Sequence, residues 1–174
     1  TPLMTANHGF PLPAPRVVPG LHADFRPAVL ALRAFRARVR ACGNPGPVRL
    51  AVEQTDGSIY YYSTEIFPES APESVGNYSH VERILKFLLW SRGGWRIYFD
   101  GPAALAAKLS THYRDDPTGQ FDAKMVGEKM FDHPLEIVNT REIPPARSQS
   151  RPLGRQLVAA SERGGVGERV LRPE

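Results

Sequence analysis

Five histidines, a single cysteine and a cluster of aspartates are the side chains most capable of chemistry in this 174-residue sequence, and their spacing limits what they can do. His112 precedes Asp115, Asp116 and Asp122, a set of hard donors of the kind divalent cations prefer. The spacing matches no ligand loop, and acidic residues beside Pro117 ordinarily cap a helix, so no metal ligand is assigned. His8, His22, His80, His112 and His133 occur singly, with no pair four apart for zinc-protease chemistry. Cys42 sits in Ala41-Cys42-Gly43-Asn44-Pro45 without a thiol-enzyme signature, and no G-x-S-x-G elbow occurs. A Ser-His-Asp set assembled from distant parts of the chain stays open, since such triads do not follow sequence order. Nucleotide phosphates need a P-loop or a G-x-G-x-x-G turn after a strand, and neither is present. Gly164-Gly165-Val166-Gly167 follows Ser161-Glu162-Arg163 and reads as flexible tail. No catalytic, cofactor-binding or metal-binding residue is therefore named.

Two further constellations suit binding. Tyr60, Tyr61, Tyr62, Trp90, Trp95 and Tyr98 would form a stacking platform for a base or sugar if they shared an exposed face, although aromatics at such positions usually pack. Arg33, Arg36 and Arg40 fall on one side of a predicted helix, where they would meet phosphates or an acidic partner, or simply face water.

The elements that position these groups follow from periodicity. Residues 27–41 are rich in Ala and Arg and predict a helix, with Pro27 in its first turn. Val48, Leu50 and Val52 alternate with Arg49, Ala51 and Glu53 as in a strand with one buried face. Asp56-Gly57 then predicts a two-residue hairpin turn into residues 59–66, with Thr55 facing Ser58, Val52 facing Tyr61 and Glu53 facing Tyr60. Residues 67–76 read as a loop. Ser79 and Glu82 have capping-box spacing ahead of a helix that buries Val81, Ile84, Leu85, Leu88 and Leu89, with Glu82 and Lys86 placed to pair. Gly93-Gly94 ends it, and Trp95, Ile97 and Phe99 form a third strand. Gly101-Pro102 opens a helix with Leu105, Leu109 and Tyr113 on one side, closed by Asp115-Asp116-Pro117; residues 121–131 continue helically, and residues 135–138 make a fourth strand. The fold class expected is α/β: a small layered domain of β-hairpin, helix, strand, helix, strand, with at least one parallel pair.

Composition divides the chain. Six Arg and one Asp mark a Pro/Arg-rich segment over residues 1–46; nine basic and thirteen acidic residues occupy the α/β core at 47–140; seven Arg and four Glu mark a flexible basic tail at 141–174. The overall charge of +4 thus hides an acidic core that repels a phosphate backbone, which makes nucleic acid an unlikely partner and leaves any such contact to the flanks. The longest apolar run, residues 87–90, is far too short to span a membrane. One cysteine and no signal-peptide order fit a cytoplasmic protein, and the Thr1 start reads as that of a fragment.

The stretch Tyr78-Ser79-His80-Val81-Glu82-Arg83-Ile84-Leu85-Lys86-Phe87-Leu88-Leu89-Trp90-Ser91-Arg92-Gly93-Gly94-Trp95-Arg96-Ile97-Tyr98 resembles the region that precedes the kinase core in a bacterial branch of the ROK (repressor, open reading frame, kinase) family. The likeness continues at Asp100-Gly101-Pro102, Phe121-Asp122, Met125-Val126-Gly127-Glu128 and Pro152-Leu153-Gly154-Arg155, over roughly residues 48–157. It implies an ATP-dependent sugar-kinase-like parent of the actin-like ATPase fold, with ATP and Mg as cofactors of the full-length family only. Beyond Gly154-Arg155-Gln156-Leu157 no strand carries the Asp-x-Gly-[Gly/Ala]-[Ser/Thr] phosphate loop. The family's catalytic aspartate and zinc-binding cysteines have no matching positions either. The expectation is an N-terminal accessory region, non-catalytic alone, whose partner is the missing kinase core or another subunit, with a homo-oligomer also open. Its rivals are a basic-flanked module for nucleic acid or an acidic protein, and a small enzyme using His112 with Asp115 and Asp116.

Overall fold

The computed structural model describes residues 13–54 and 57–145. In order it contains α1 (Ala28–Ala41), β1 (Gly46–Glu53), β2 (Ile59–Ile66), a 3₁₀ turn (Pro72–Gly76), α2 (Asn77–Arg92), β3 (Arg96–Asp100), α3 (Ala103–Asp115), α4 (Pro117–Asp122), a π-helical turn (Ala123–Met130) and β4 (Glu136–Asn139). The four strands form one sheet in the order β2-β1-β3-β4, antiparallel except for the parallel β3–β4 pair. The expected α/β class and element order are both present. The Thr55–Ser58 pairing, the Gly164 run and the tail beyond residue 145 lie outside the described residues. Among those described, no helix is long and apolar enough to cross a membrane.

The helices lie against one side of the sheet because the strands alternate. Val48, Leu50 and Val52 of β1, with Ile97 and Phe99 of β3, are buried against Val81, Ile84, Leu85, Leu88 and Leu89 of α2 and Leu105, Leu109 and Tyr113 of α3. Side chains of this size each contribute about 1.5–3 kcal/mol on full burial. A smaller cluster of Phe35, Val39 and Phe67 attaches α1, whose Leu32 reaches the main core. Ala31, Phe35 and Val39 recur every four residues and give α1 its buried stripe.

Three local expectations are corrected. The hairpin register is one residue off: Val52 pairs with Tyr60, Ala51 with Tyr61 and Glu53 with Ile59. Gly57 N–H donates to Gln54 O, and Gln54 N–H donates to Ser58 O, so three residues rather than two make the loop, with Gly57 at φ 77°. A one-residue slip exchanges the faces of a strand. Tyr60 and Tyr62 consequently pack on the core, while Tyr61 points the other way. There is no capping box either: α2 begins at Asn77 directly after the 3₁₀ turn, with no side-chain cap, and Ser79 lies within the helix. Asn77 instead holds Phe67, accepting from its N–H at 3.0 Å and donating to its carbonyl at 2.8 Å. Finally, Lys86 pairs with Asp122 and not with Glu82.

Gly93, at φ 73°, caps α2 with its N–H on the Leu89 carbonyl, and Gly94 then turns the chain onto the sheet. At φ 141° it brings the chain against β1, where a Cβ would sit within the Val52 side chain and 2.9 Å from the Glu53 carbonyl. Only glycine permits that approach, and Trp95 N–H then donates to the same carbonyl at 3.0 Å to start β3.

Candidate functional site

The acidic set nominated around His112 is divided by the fold. Asp115 lies on the surface against Arg114, at 2.8 Å. Asp116 caps α4, accepting from Thr118 N–H at 2.9 Å and Gly119 N–H at 3.3 Å, and these bonds hold its carboxyl below the usual range. Asp122 is buried, accepts from Trp90 Nε1 at 3.0 Å and lies 2.8 Å from Lys86 Nζ. His112 stands between Glu82 and Asp116, each 3.7 Å from one of its ring nitrogens, which is too long for a hydrogen bond. Its Nε2 has no hydrogen-bond partner among the described residues. Among the described residues no three His, Cys, Asp or Glu side chains converge to hold a metal ion. His133 stacks on Trp95, with ring centroids 4.3 Å apart.

One histidine does stand beside a hydroxyl. His80 Nε2 is 3.1 Å from Thr64 Oγ1, a pair that joins α2 to β2. The ring is stacked on Phe35 with centroids 3.9 Å apart. Burial, reinforced by the Arg36 and Arg83 guanidiniums, lowers its pKa to about 3. A general base works best with a pKa near the ambient pH, so His80 is far too weak to take the threonine proton. The pair is structural. The buried Tyr113 hydroxyl has no hydrogen-bond partner among the described residues, and burial followed by the Glu82 carboxylate pushes its pKa well up, which keeps it protonated.

The aromatic platform is likewise dispersed. Tyr60 and Tyr62 belong to the core side, and Trp90 lies on α2. Trp95 lies beneath Arg96, whose Cζ is 4.4 Å from the ring centroid. Only Tyr61 and Tyr98 share the other side of the sheet, flanking buried Ala51, with which both are in register. Sequence periodicity missed this pair because the predicted register put Tyr61 on the core side.

That second side is the most distinctive surface of the fold. It carries Arg49 against Asp100 at 2.7 Å, the Tyr98 hydroxyl donating to Glu53 at 2.6 Å, and Arg96 against Glu136 at 2.8 Å. Asp100 and Glu136 are matched by arginines, whereas Glu53 meets only the Tyr98 hydroxyl and Glu65 of β2 has no ion pair among the described residues; no described helix covers this side. The chain leaves β4 and returns over it at residues 143–145, where the Tyr61 hydroxyl donates to the Pro144 carbonyl. Between Tyr61, Tyr62 and residues 143–145 lies a groove of 460 Å³.

The arginine face of α1 is partly engaged. Arg36 donates to the Tyr62 hydroxyl, while Arg33 and Arg40 are exposed. Arg36, Arg40 and Arg49 line a groove of 640 Å³ with Ser63, Thr64 and Glu65.

No protein-family model, curated protein or solved structure matches the chain.

Proposed function

We propose that this chain is the N-terminal accessory region of a ROK-family sugar-kinase-like protein, non-catalytic by itself, and that it holds a second polypeptide body against the open side of its sheet. The observation that carries the proposal is the one-sided sheet, with Ala51 framed by Tyr61 and Tyr98 and the chain returning at Pro144. Small and aromatic residues beside the Arg49–Asp100 and Arg96–Glu136 pairs form a face that another protein can cover. The stretch that resembles the family falls on α2, the Gly93-Gly94 turn and β3, elements that build the core. Phosphoryl transfer needs phosphate-cradling loops and placed Mg²⁺, and the described residues fit neither, so no catalytic step is derived for ATP here.

Co-expression with the ATPase core of an intact family member tests the proposal. It should yield one complex on size exclusion, dispersed by Tyr61→Arg, which puts a cation at an exposed position of that side. Two independently eluting species would overturn it.

A second reading draws on the groove beside Arg36 and Arg40, where a polyanion would bind with steep salt dependence. Glu65 in the groove wall and the Asp100 partner of Arg49 both weaken that attraction.

A further inference from the structure

The chain itself enters the open side of its sheet. Thr140 N–H donates to the Phe99 carbonyl at 2.9 Å beside β4, one edge of the sheet, and by Pro144 the backbone has reached Tyr61 of β2, the other edge. Ile143 and Pro144 are half-buried there, and with Pro145 they line the groove shared with Arg49, Tyr61 and Ser63. Ala51 is 0% exposed, although it lies on the side that no described helix covers. Where the described residues end, at Pro145, the chain is still over the sheet.

The residues that make this crossing suit it. Pro144 and Pro145 lack an N–H, so they donate nothing to a ladder, and their fixed φ makes the stretch stiff. What Pro144 does offer is its carbonyl, and the Tyr61 hydroxyl donates to it. An extended proline stretch against a tyrosine is ordered at little entropic cost, because it has few conformations to lose.

Charge selects the direction in which the chain continues. By register this side carries Arg49, Arg96, Glu53, Glu65, Asp100 and Glu136. Asp100 and Glu136 are taken by the two arginines. Glu65 shares its groove with Arg36 and Arg40 of α1, whereas Glu53 at the opposite end meets only the Tyr98 hydroxyl among the described residues. Residues 146–161 contain Arg147, Arg151 and Arg155 and no acid. An arginine following Pro145 is thus repelled at the α1 end and attracted at the Glu53 end. Glu53 lies two residues along β1 from Ala51, about 7 Å, and Arg147 and Arg151 have about 7 and 20 Å of extended chain beyond Pro145, which covers the span.

We propose that, in the chain on its own, residues 146–151 turn from Pro145 over Ala51, between Tyr61 and Tyr98, and set Arg147 and Arg151 against the Glu53 end of the sheet. This deepens the reading above and rests on it only in taking this side as a surface that is covered: the chain's own segment is the first occupant, and a second body must displace it.

The test is paramagnetic relaxation in the full chain carrying Cys42→Ser and Gln149→Cys, with a nitroxide on the new thiol and isotopically labelled amides. The nitroxide should erase the amide signals of Ala51, Tyr61 and Tyr98 while sparing those of exposed Phe87 and Lys108 in the helical layer, and reduction with ascorbate should restore them. Arg147→Glu together with Arg151→Glu should return the signals of the open side. Glu53→Gln, which keeps an acceptor for the Tyr98 hydroxyl, should return them in part. Unchanged thermal melts for these variants would separate a lost contact from a lost fold. Unaffected signals on the open side, equal loss in the sheet and the outer helices, or loss that survives the two arginine reversals would overturn the proposal. Loss of signal in a labelled chain without nitroxide, mixed with an unlabelled chain that carries it, would assign the surface to a second copy and would equally overturn it. These signals report the chain alone, so their failure leaves a co-eluting complex with the ATPase core intact as a result, and separate elution there leaves this contact standing.

Discussion

Acidification tests the packing of α1 through a single imidazole. His80 lies under Phe35 and beside Thr64, and its pKa falls from an ordinary 6.5 to about 3 through burial and then through Arg36 and Arg83. The unfolded chain takes up that proton near the ordinary value, whereas the folded chain refuses it until much lower pH. Between 6.5 and about 3 the unfolded state binds more protons, so stability is full above the upper value and declines as pH falls through the window. Each pH unit well inside the window removes about 1.4 kcal/mol, so the loss is about 2 kcal/mol by pH 5 and about 5 kcal/mol at the lower end. The assay is the urea midpoint from pH 7 down to about 4 for the wild type and His80→Gln, whose amide keeps a polar partner for Thr64 without titrating. The variant should be the less stable protein at neutral pH and the less acid-sensitive one, so that the gap between the two curves narrows as the pH falls below 6.5. Subtracting them removes every carboxylate the two proteins share. Parallel curves would refute the assignment of a neutral, acid-resistant imidazole to this site.

Two further outcomes follow from the backbone. Gly94→Ala places a Cβ into Val52 and against the Glu53 carbonyl at φ 141°, and should cost about 3 kcal/mol or more in a denaturant titration, or prevent folding. Asp116→Ala removes the cap of α4 and should lower the thermal midpoint, whereas Asp115→Ala should leave it unchanged because that carboxylate meets only exposed Arg114. An equal fall in both variants would contradict the division of the two carboxylates.

Much of this fold is legible in the sequence because its buried positions are strictly periodic. Val48, Leu50 and Val52, the α2 stripe from Val81 to Leu89, and Leu105, Leu109 and Tyr113 all lie where period two or period 3.6 puts them. Turn chemistry was less readable. Asp56-Gly57 suits a two-residue loop, yet Gly57 closes a three-residue one, and local sequence does not separate those geometries when both need a glycine at positive φ. That slip moved Tyr61 to the wrong side and hid its pairing across Ala51 with Tyr98. Lys86 had two acids within reach, Glu82 one turn back on its own helix and Asp122 on α4. Burial of Asp122 decided between them, which spacing within one helix cannot convey. The α4–Trp90 contact was illegible for the same reason, since it joins residues 32 positions apart.

The one parallel seam governs the order in which the sheet can be made. β1 meets β2 across a short turn, but β4 reaches β3 only after the helical crossover of residues 101–135 has been laid down. During synthesis β3 can join β1 while its other edge still lacks a neighbour. A bare strand edge in a half-made sheet invites pairing with another nascent chain, so the hazard of misassembly during production is concentrated at the outer edge of β3.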